Sequence, residues 1–299
     1  MQANFCLQYA LEGGIINTPA IMYREFFGLK EKPFNVTSDP NFLFLSRVHK
    51  EAFSHLLYGI RERKGFLEIT GEVGAGKTTL CRALLNQLDR NTKSAFIFNS
   101  TLPELQLLQA ILEDFGLTVE RKNKGILLRQ LNIFLIEELS QGNNVILIID
   151  EAQNLKPSML EEIRMLSNLE TEKEKLFQII LVGQPELKNK LNSPNLKQLK
   201  QRIGVRFHIT PLEKDEVEQY IYHRLKVAGS DGRIHFPKDV LESICKFSGG
   251  IPRLINMVCD KALLAAYVME TRQITLPIVE RSIQEIEGVL YHEHYTRSA

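Results

Sequence analysis

Five short apolar runs recur along the chain, at Gly65–Thr70, Ser94–Phe98, Val145–Ile149, Leu176–Val182 and Val205–Ile209, each rich in Phe, Ile, Leu or Val. Several are apolar at successive positions, not at alternate ones, the pattern of strands covered on both faces in a parallel sheet. Helical stretches lie between them. Lys77–Leu88 follows the first run, Pro103–Phe115 and Ile126–Leu139 the second, Pro157–Leu169 the third, and Pro185–Leu191 with Asn195–Gln201 the fourth. Proline at the head of several suits a first helical turn, where its missing N–H costs nothing. Strand alternating with helix five times predicts an α/β domain of three layers, αβα.

Beyond Pro211 the strands stop. Glu213–Val227, Pro237–Phe247, Arg253–Met269 and Leu276–Glu287 read as helices, broken by Gly229, Gly249-Gly250 and Pro277. Leu254, Val258 and Ala262 fall on one face of a helix, the spacing of a buried stripe. The expected organisation is an upstream extension over 1–21, an N-terminal adaptor segment over 22–60, the α/β domain over 61–211, a small all-helical domain over 212–290 and a frayed tail over 291–299.

Composition narrows the functional classes. The chain has 299 residues, 37 Lys+Arg against 36 Asp+Glu, and a formal net charge of +1. That balance argues against a surface basic all over, as in a general nucleic-acid binder, and leaves room for a local basic patch. No apolar run approaches the ~20 residues that span a bilayer. Cys6, Cys81, Cys245 and Cys259 are scattered without metal-ligand spacing and read as reduced thiols filling apolar space, which fits a cytoplasmic protein. The first twenty residues lack a signal peptide pattern, and Met22 is a second candidate start.

Four signals carry chemistry. The first is Gly71-Glu72-Val73-Gly74-Ala75-Gly76-Lys77-Thr78, followed by Thr79, placed after an apolar strand and before an amphipathic helix. Glycines there allow successive N–H groups to turn inward as a nest for phosphate oxygens, and the helix that follows adds its positive dipole end. Lys77 is expected to reach the β- and γ-phosphates of ATP and the Thr78 hydroxyl to ligate Mg²⁺.

The second signal is Val145–Ile149 followed by Asp150-Glu151-Ala152-Gln153. At the carboxyl end of a buried strand, Asp150 is expected on the metal side and Glu151 as the general base for an attacking water. Helix capping is the plainer use of such acids. The third is an acid-free stretch between Glu186 and Glu213 holding Lys188, Lys190, Lys197, Lys200, Arg202 and Arg206. Most of these lysines read as a solvated face, while Arg202, at a helix end just before the last strand, is a candidate to contact a γ-phosphate held by a neighbouring subunit. The fourth is Gly249-Gly250-Ile251-Pro252-Arg253, which sets a cation in the first turn of a helix, where the dipole does not favour it. An anion beside Arg253 would offset that cost.

Together these residues resemble the AAA+ ATPase superfamily. The resemblance implies a P-loop domain with a five-stranded parallel sheet and a helical lid closing over adenine nucleotide. Gly71–Thr78 matches Walker A, Asp150-Glu151 matches Walker B, Gln184 resembles sensor 1, Arg202 sits where an arginine finger is found, and Arg253 looks like sensor 2. The segment Met22–Leu29, continuing through Lys32-Pro33-Phe34 and Asp39–Phe44, is similar to the general secretion pathway protein A (ExeA-type) ATPases, which act in envelope export and pilus assembly. The likeness implies that Met22 opens the native protein. It also implies a homo-oligomer that hydrolyses ATP across a subunit interface and works with an inner-membrane export partner. Such proteins typically continue into a transmembrane helix and a peptidoglycan-binding domain, neither of which is seen before Ala299, so membrane contact through a partner, or a truncated form, is expected. The alternative is a DNA-associated ATP switch of the transposition-regulator or origin-recognition type, motivated by the basic stretch Lys188–Arg206.

Overall fold

The computed structural model describes residues 19–98, 102–119, 123–167 and 175–296. Five strands, β1 (Phe66–Gly71), β2 (Thr92–Ile97), β3 (Asn144–Ile149), β4 (Gln178–Gly183) and β5 (Ile203–Ile209), form one sheet in the order β2-β3-β4-β1-β5. Every pairing is parallel. The helices of the first half are α1 (Pro19–Phe27), α2 (Arg47–Arg61), α3 (Lys77–Leu85), α4 (Glu104–Asp114), α5 (Lys124–Ser140) and α6 (Pro157–Leu166). Those of the second are α7 (Pro185–Leu191), α8 (Lys197–Arg202), α9 (Lys214–Val227), α10 (Lys238–Ser248), α11 (Pro252–Val268) and α12 (Leu276–Thr296).

Burial explains the hydrophobic pattern. Strands β1 and β4 are buried at every position and β3 at all but its first, whereas the edge strands β2 and β5 mix buried with exposed positions. Successive side chains of a strand point to opposite faces, and the core sorts accordingly. Val145, Leu147, Ile149, Ile179 and Leu181 pack on one side of the sheet with residues of α4 to α8. Ile146, Ile148, Ile180, Val182, Leu67 and Ile69 pack on the other with α2 and α3. Each such side chain removed from water contributes about 1.5–3 kcal/mol. These two cores make the three layers.

Helix α2 is an element that the hydrophobic runs alone do not announce. Ser46 caps it by accepting the His49 N–H, and Ala52, Phe53, Leu56 and Ile60 recur on its buried side. The core stripe of α11 also differs from the one expected. It runs through Ile255, Val258, Cys259, Ala262, Leu263 and Ala266, and Leu254 is only half-buried. Helix α12 continues past Glu287 to Thr296.

The chain divides into two units. One comprises Thr37–Leu212 with Ile251–Arg253; the other comprises the described residues up to Val36, Glu213–Gly250, and those from Leu254 onward. The stretch 22–60 is therefore split at Val36/Thr37. Buried Arg224 of α9 donates from Nε to Pro33 O, from Nη2 to Asn35 O (2.9 Å) and from Nη1 to the Tyr220 hydroxyl (3.1 Å). The Tyr23 hydroxyl donates to Asp260 Oδ1 at 2.7 Å, and Phe34 meets Phe236 edge-on. These contacts hold the early segment to the helical unit. In the other unit, Arg82 of α3 donates to Ser38 O at 3.1 Å, tying the chain after Thr37 to the sheet domain.

Among the described residues no helix is long and apolar enough to cross a membrane. Cys81 and Cys259 are buried free thiols whose burial pushes their pKa up, and Cys245 is a half-buried free thiol. Cys6 lies outside the described residues.

Candidate functional site

Strand β1 ends at Gly71, and the loop through Gly76 delivers the chain into α3. Gly74 and Gly76 adopt positive φ, 80° and 92°, which L side chains rarely tolerate. Space matters as well. A Cβ on Gly74 would stand 2.3 Å from Arg253 Cβ, and the Arg253 N–H donates to Gly74 O at 3.2 Å. Glycine at 74 is what lets Arg253, counted in the same unit, sit against the loop with its side chain exposed. The Ala75 N–H closes a turn on Glu72 O at 3.1 Å. Val73 is exposed and Thr79 half-buried.

Lys77 is buried, and its ammonium donates to Gly71 O (2.8 Å) and Glu72 O (2.9 Å). Burial lowers its pKa, opposed by the charges of Glu151, Asp150 and Glu72. In the first turn of α3, Thr78 Oγ1 donates to Asp150 Oδ2 at 2.5 Å. Asp150 follows directly after β3, almost fully buried, and its other oxygen accepts the Glu151 N–H at 2.9 Å. Its pKa is raised by burial, with the Thr78 and Glu151 hydrogen bonds pulling the other way.

Glu151 sits in the left-handed region at φ 52°, a conformation that costs a non-glycine residue about 1–2 kcal/mol. Its Oε2 accepts from Gln153 Nε2 (2.5 Å) and from Gln184 Nε2 (3.2 Å). The Gln184 N–H in turn donates to Gln153 Oε1 at 3.1 Å. Lys190 of α7 closes the cluster from behind, donating to Gln153 O and to Leu155 O.

Two members of this site gain a role only from the structure. Gln153 follows the acidic pair, and its proximity to Gln184 appears only when β3 and β4 are paired. His49 lies upstream of the loop: its Nε2 is 2.9 Å from Ala75 O and its Nδ1 is 2.7 Å from Ser46 Oγ. A carbonyl can only accept, so the network assigns the proton to Nε2 and makes Nδ1 the acceptor of the Ser46 hydroxyl.

The basic stretch is partly explained inside the domain. Glu68, buried in the middle of β1, has Arg206 Nε 3.4 Å from its carboxylate. Burial raises the Glu68 pKa, and Arg206, Lys188 and Lys200 pull it down. With Lys190 spent on carbonyl oxygens, this stretch is more than a solvated face. Arg202, the last residue of α8, donates to the end of α6, at Arg164 O (3.3 Å) and Ser167 Oγ (3.0 Å).

The residues fit a magnesium nucleotide. Two glycines shape a turn that a Cβ would fill, a buried cation lies beside it, and a hydroxyl and a carboxylate meet at 2.5 Å. No group of three or more His, Cys, Asp or Glu gathers among the described residues. A hydroxyl and one carboxylate suit Mg²⁺, which keeps several waters and takes its remaining ligands from phosphate.

A family model described as an AAA domain matches residues 60–191. The Aeropyrum pernix ORC2 protein, solved as ADPNP–ADP complexes, superimposes with a TM-score of 0.67 at 18% identity, covering 86% of this chain and 72% of that one. Drosophila ORC bound to DNA superimposes with a TM-score of 0.64 at 15% identity, covering 92% and 68%. The fold is similar to that of AAA+ P-loop proteins. Within that class the chain resembles General secretion pathway protein A of Aeromonas hydrophila, with 43% identity over 270 residues, 90% of this chain and 49% of that protein. The chain thus spans about half the length of this relative.

Proposed function

We propose that the chain binds Mg-ATP at the Gly71–Thr79 loop and hydrolyses it to ADP and phosphate. The observation that carries this reading is the Thr78–Asp150 pair, set at the foot of the glycine loop with Glu151 next in sequence. Lys77 would exchange the carbonyls of Gly71 and Glu72 for the β- and γ-phosphates, and backbone N–H groups of the loop would cradle them. Thr78 and Asp150 would hold Mg²⁺, which when bound offsets phosphate charge. A water oxygen attacks the γ-phosphorus, the bond to the bridging oxygen breaks, and Glu151 takes the water's proton. Gln184 donates beside Glu151 and orients the reacting groups; Arg253 approaches the phosphates from the loop side.

The family likeness extends the proposal to a homo-oligomer in which Arg202 of one subunit completes the site of the next. Such an assembly would act in the cytoplasm and reach the inner membrane through an export partner, driving assembly of an envelope apparatus. DNA is the less favoured partner, since the formal net charge is only +1 and Arg206 lies beside buried Glu68.

Phosphate release and nucleotide binding test the chemistry. Lys77→Ala is expected to lose tight binding. Glu151→Gln is expected to bind nucleotide normally and lose turnover by ~10²–10⁴-fold. Undiminished hydrolysis by Glu151→Gln would remove Glu151 as the base.

A further inference from the structure

We propose that Gln153 is a positioning residue for hydrolysis, an amide bridge that aims the Glu151 carboxylate and couples it to Gln184. The inference rests on Glu151 being the base.

The bridge has one workable orientation. Its Oε1 faces the Gln184 N–H at 3.1 Å and its Nε2 faces Glu151 Oε2 at 2.5 Å. A flipped amide would set an NH₂ against an N–H and an oxygen against a carboxylate, losing both bonds. The neighbouring N–H therefore decides which end Glu151 meets. The backbone of Gln153 is fixed too, in a single turn of 3₁₀ helix over Ala152–Asn154 between buried Ala152 and Leu155, with Lys190 on its carbonyl. Room for the amide comes from β4. A Cβ on Gly183 would stand 2.8 Å from Gln153 Oε1 and 2.9 Å from Leu187 Cδ2, so a side chain there would push the bridge out.

This arrangement answers a problem set by Glu151. Its backbone is in a strained turn and its carboxylate ends a flexible side chain, so direction has to be imposed from outside. Two amide donors on one oxygen, held by two different strand ends, impose it. A misplacement of about 1 Å at a reacting group can cost ~10²-fold in rate.

Gln153→Leu keeps the volume and removes both bonds. The expected result is a kcat lowered by about 10- to 100-fold, with nucleotide affinity unchanged and KM little altered. Gln153→Glu keeps an acceptor for the Gln184 N–H and sets a second carboxylate against Glu151. Repulsion between the two carboxylates should turn Glu151 off its aim and lower kcat at least as far as Gln153→Leu does, with nucleotide affinity kept.

Wild-type kcat in either Gln153→Leu or Gln153→Glu overturns the proposal. So does a loss of nucleotide affinity in step with kcat, or failure of both variants to fold, either of which would make Gln153 a scaffold residue. Glu151→Gln run beside them separates the two readings. If it stays active the base assignment fails; if it is inactive while the Gln153 variants are not, the bridge alone fails.

Discussion

Thr78 Oγ1 and Asp150 Oδ2 lie 2.5 Å apart although 72 positions separate them in the chain. The pair joins the first turn of α3 to the end of β3 and sets a carboxylate where little water reaches it. Burial raises the Asp150 pKa, so the native state holds its proton to higher pH than the unfolded chain does. Across that window the unfolded chain binds fewer protons, and this group's contribution to stability falls as pH rises. Asp150→Asn is expected to be at least as stable as wild type at neutral pH, to lack this fall, and to lose Mg²⁺-dependent hydrolysis by ~10²-fold or more. Urea midpoints of both proteins across pH, with phosphate release, check it.

His49 holds the phosphate loop from outside the motif. Removing its ring leaves Ala75 O without that donor, a loss of about 1–3 kcal/mol. His49→Ala should therefore raise the nucleotide Kd by ~5- to 100-fold, while His49→Gln, which can still donate to the carbonyl, should recover part of the affinity. Titration calorimetry reads both. Equal affinities in all three proteins would discard the role.

At Gly74 the chain has neither room nor conformational freedom for a side chain. Gly74→Ala would meet Arg253 Cβ at 2.3 Å with φ at 80°, so stability should drop by about 1–2 kcal/mol and nucleotide binding should weaken. Arg253→Ala keeps the Cβ and should not restore the stability of Gly74→Ala. Thermal melts of the single and double variants decide the point.

Arg202 caps the end of α6 through Arg164 O and Ser167 Oγ. Arg202→Ala is expected to lose about 0.5–1.5 kcal/mol of stability, keep nucleotide affinity and lose hydrolysis. Mixing it with Glu151→Gln should restore activity if the arginine works across subunits. A mixture as inactive as its components would rule out that geometry.

Arg224 fastens the segment around Pro33 and Asn35 to α9, with Tyr220 passing the network on to Asn256 Oδ1 at 2.9 Å. Arg224→Ala should destabilise its unit by about 1.5–3 kcal/mol and expose residues 28–36 to protease. Arg224→Lys should rescue little, because a point-like ammonium cannot serve both carbonyls and the hydroxyl at fixed angles.

Much of the sheet was legible because the forces that place it are local. β3 and β4 announce themselves as apolar runs after a polar first residue, Asn144 and Gln178, since burial on both faces asks for apolar side chains at successive positions. The phosphate loop was legible for the same reason: its glycines answer backbone demands met within a few residues. Helix α2 left a fainter trace, its Ser46 cap and the spacing of Ala52, Leu56 and Ile60, in a segment read for its phenylalanines. Those phenylalanines are divided between the units, with Phe34 in one and Phe42 in the other, both buried.

Sequence by itself determined the strand–helix alternation, the glycine loop with Lys77 and Thr78, and the acidic pair at the end of β3. Each depends on periodicity or on neighbours within one turn of chain. Tertiary structure alone decided that Gln153 meets Gln184, that His49 braces Ala75, and that Arg206 lies beside Glu68. Those meetings follow from strand order and helix docking, which bring together side chains dozens of residues apart, and hydrogen bonds and charges act over a few ångströms of space whatever their separation along the chain.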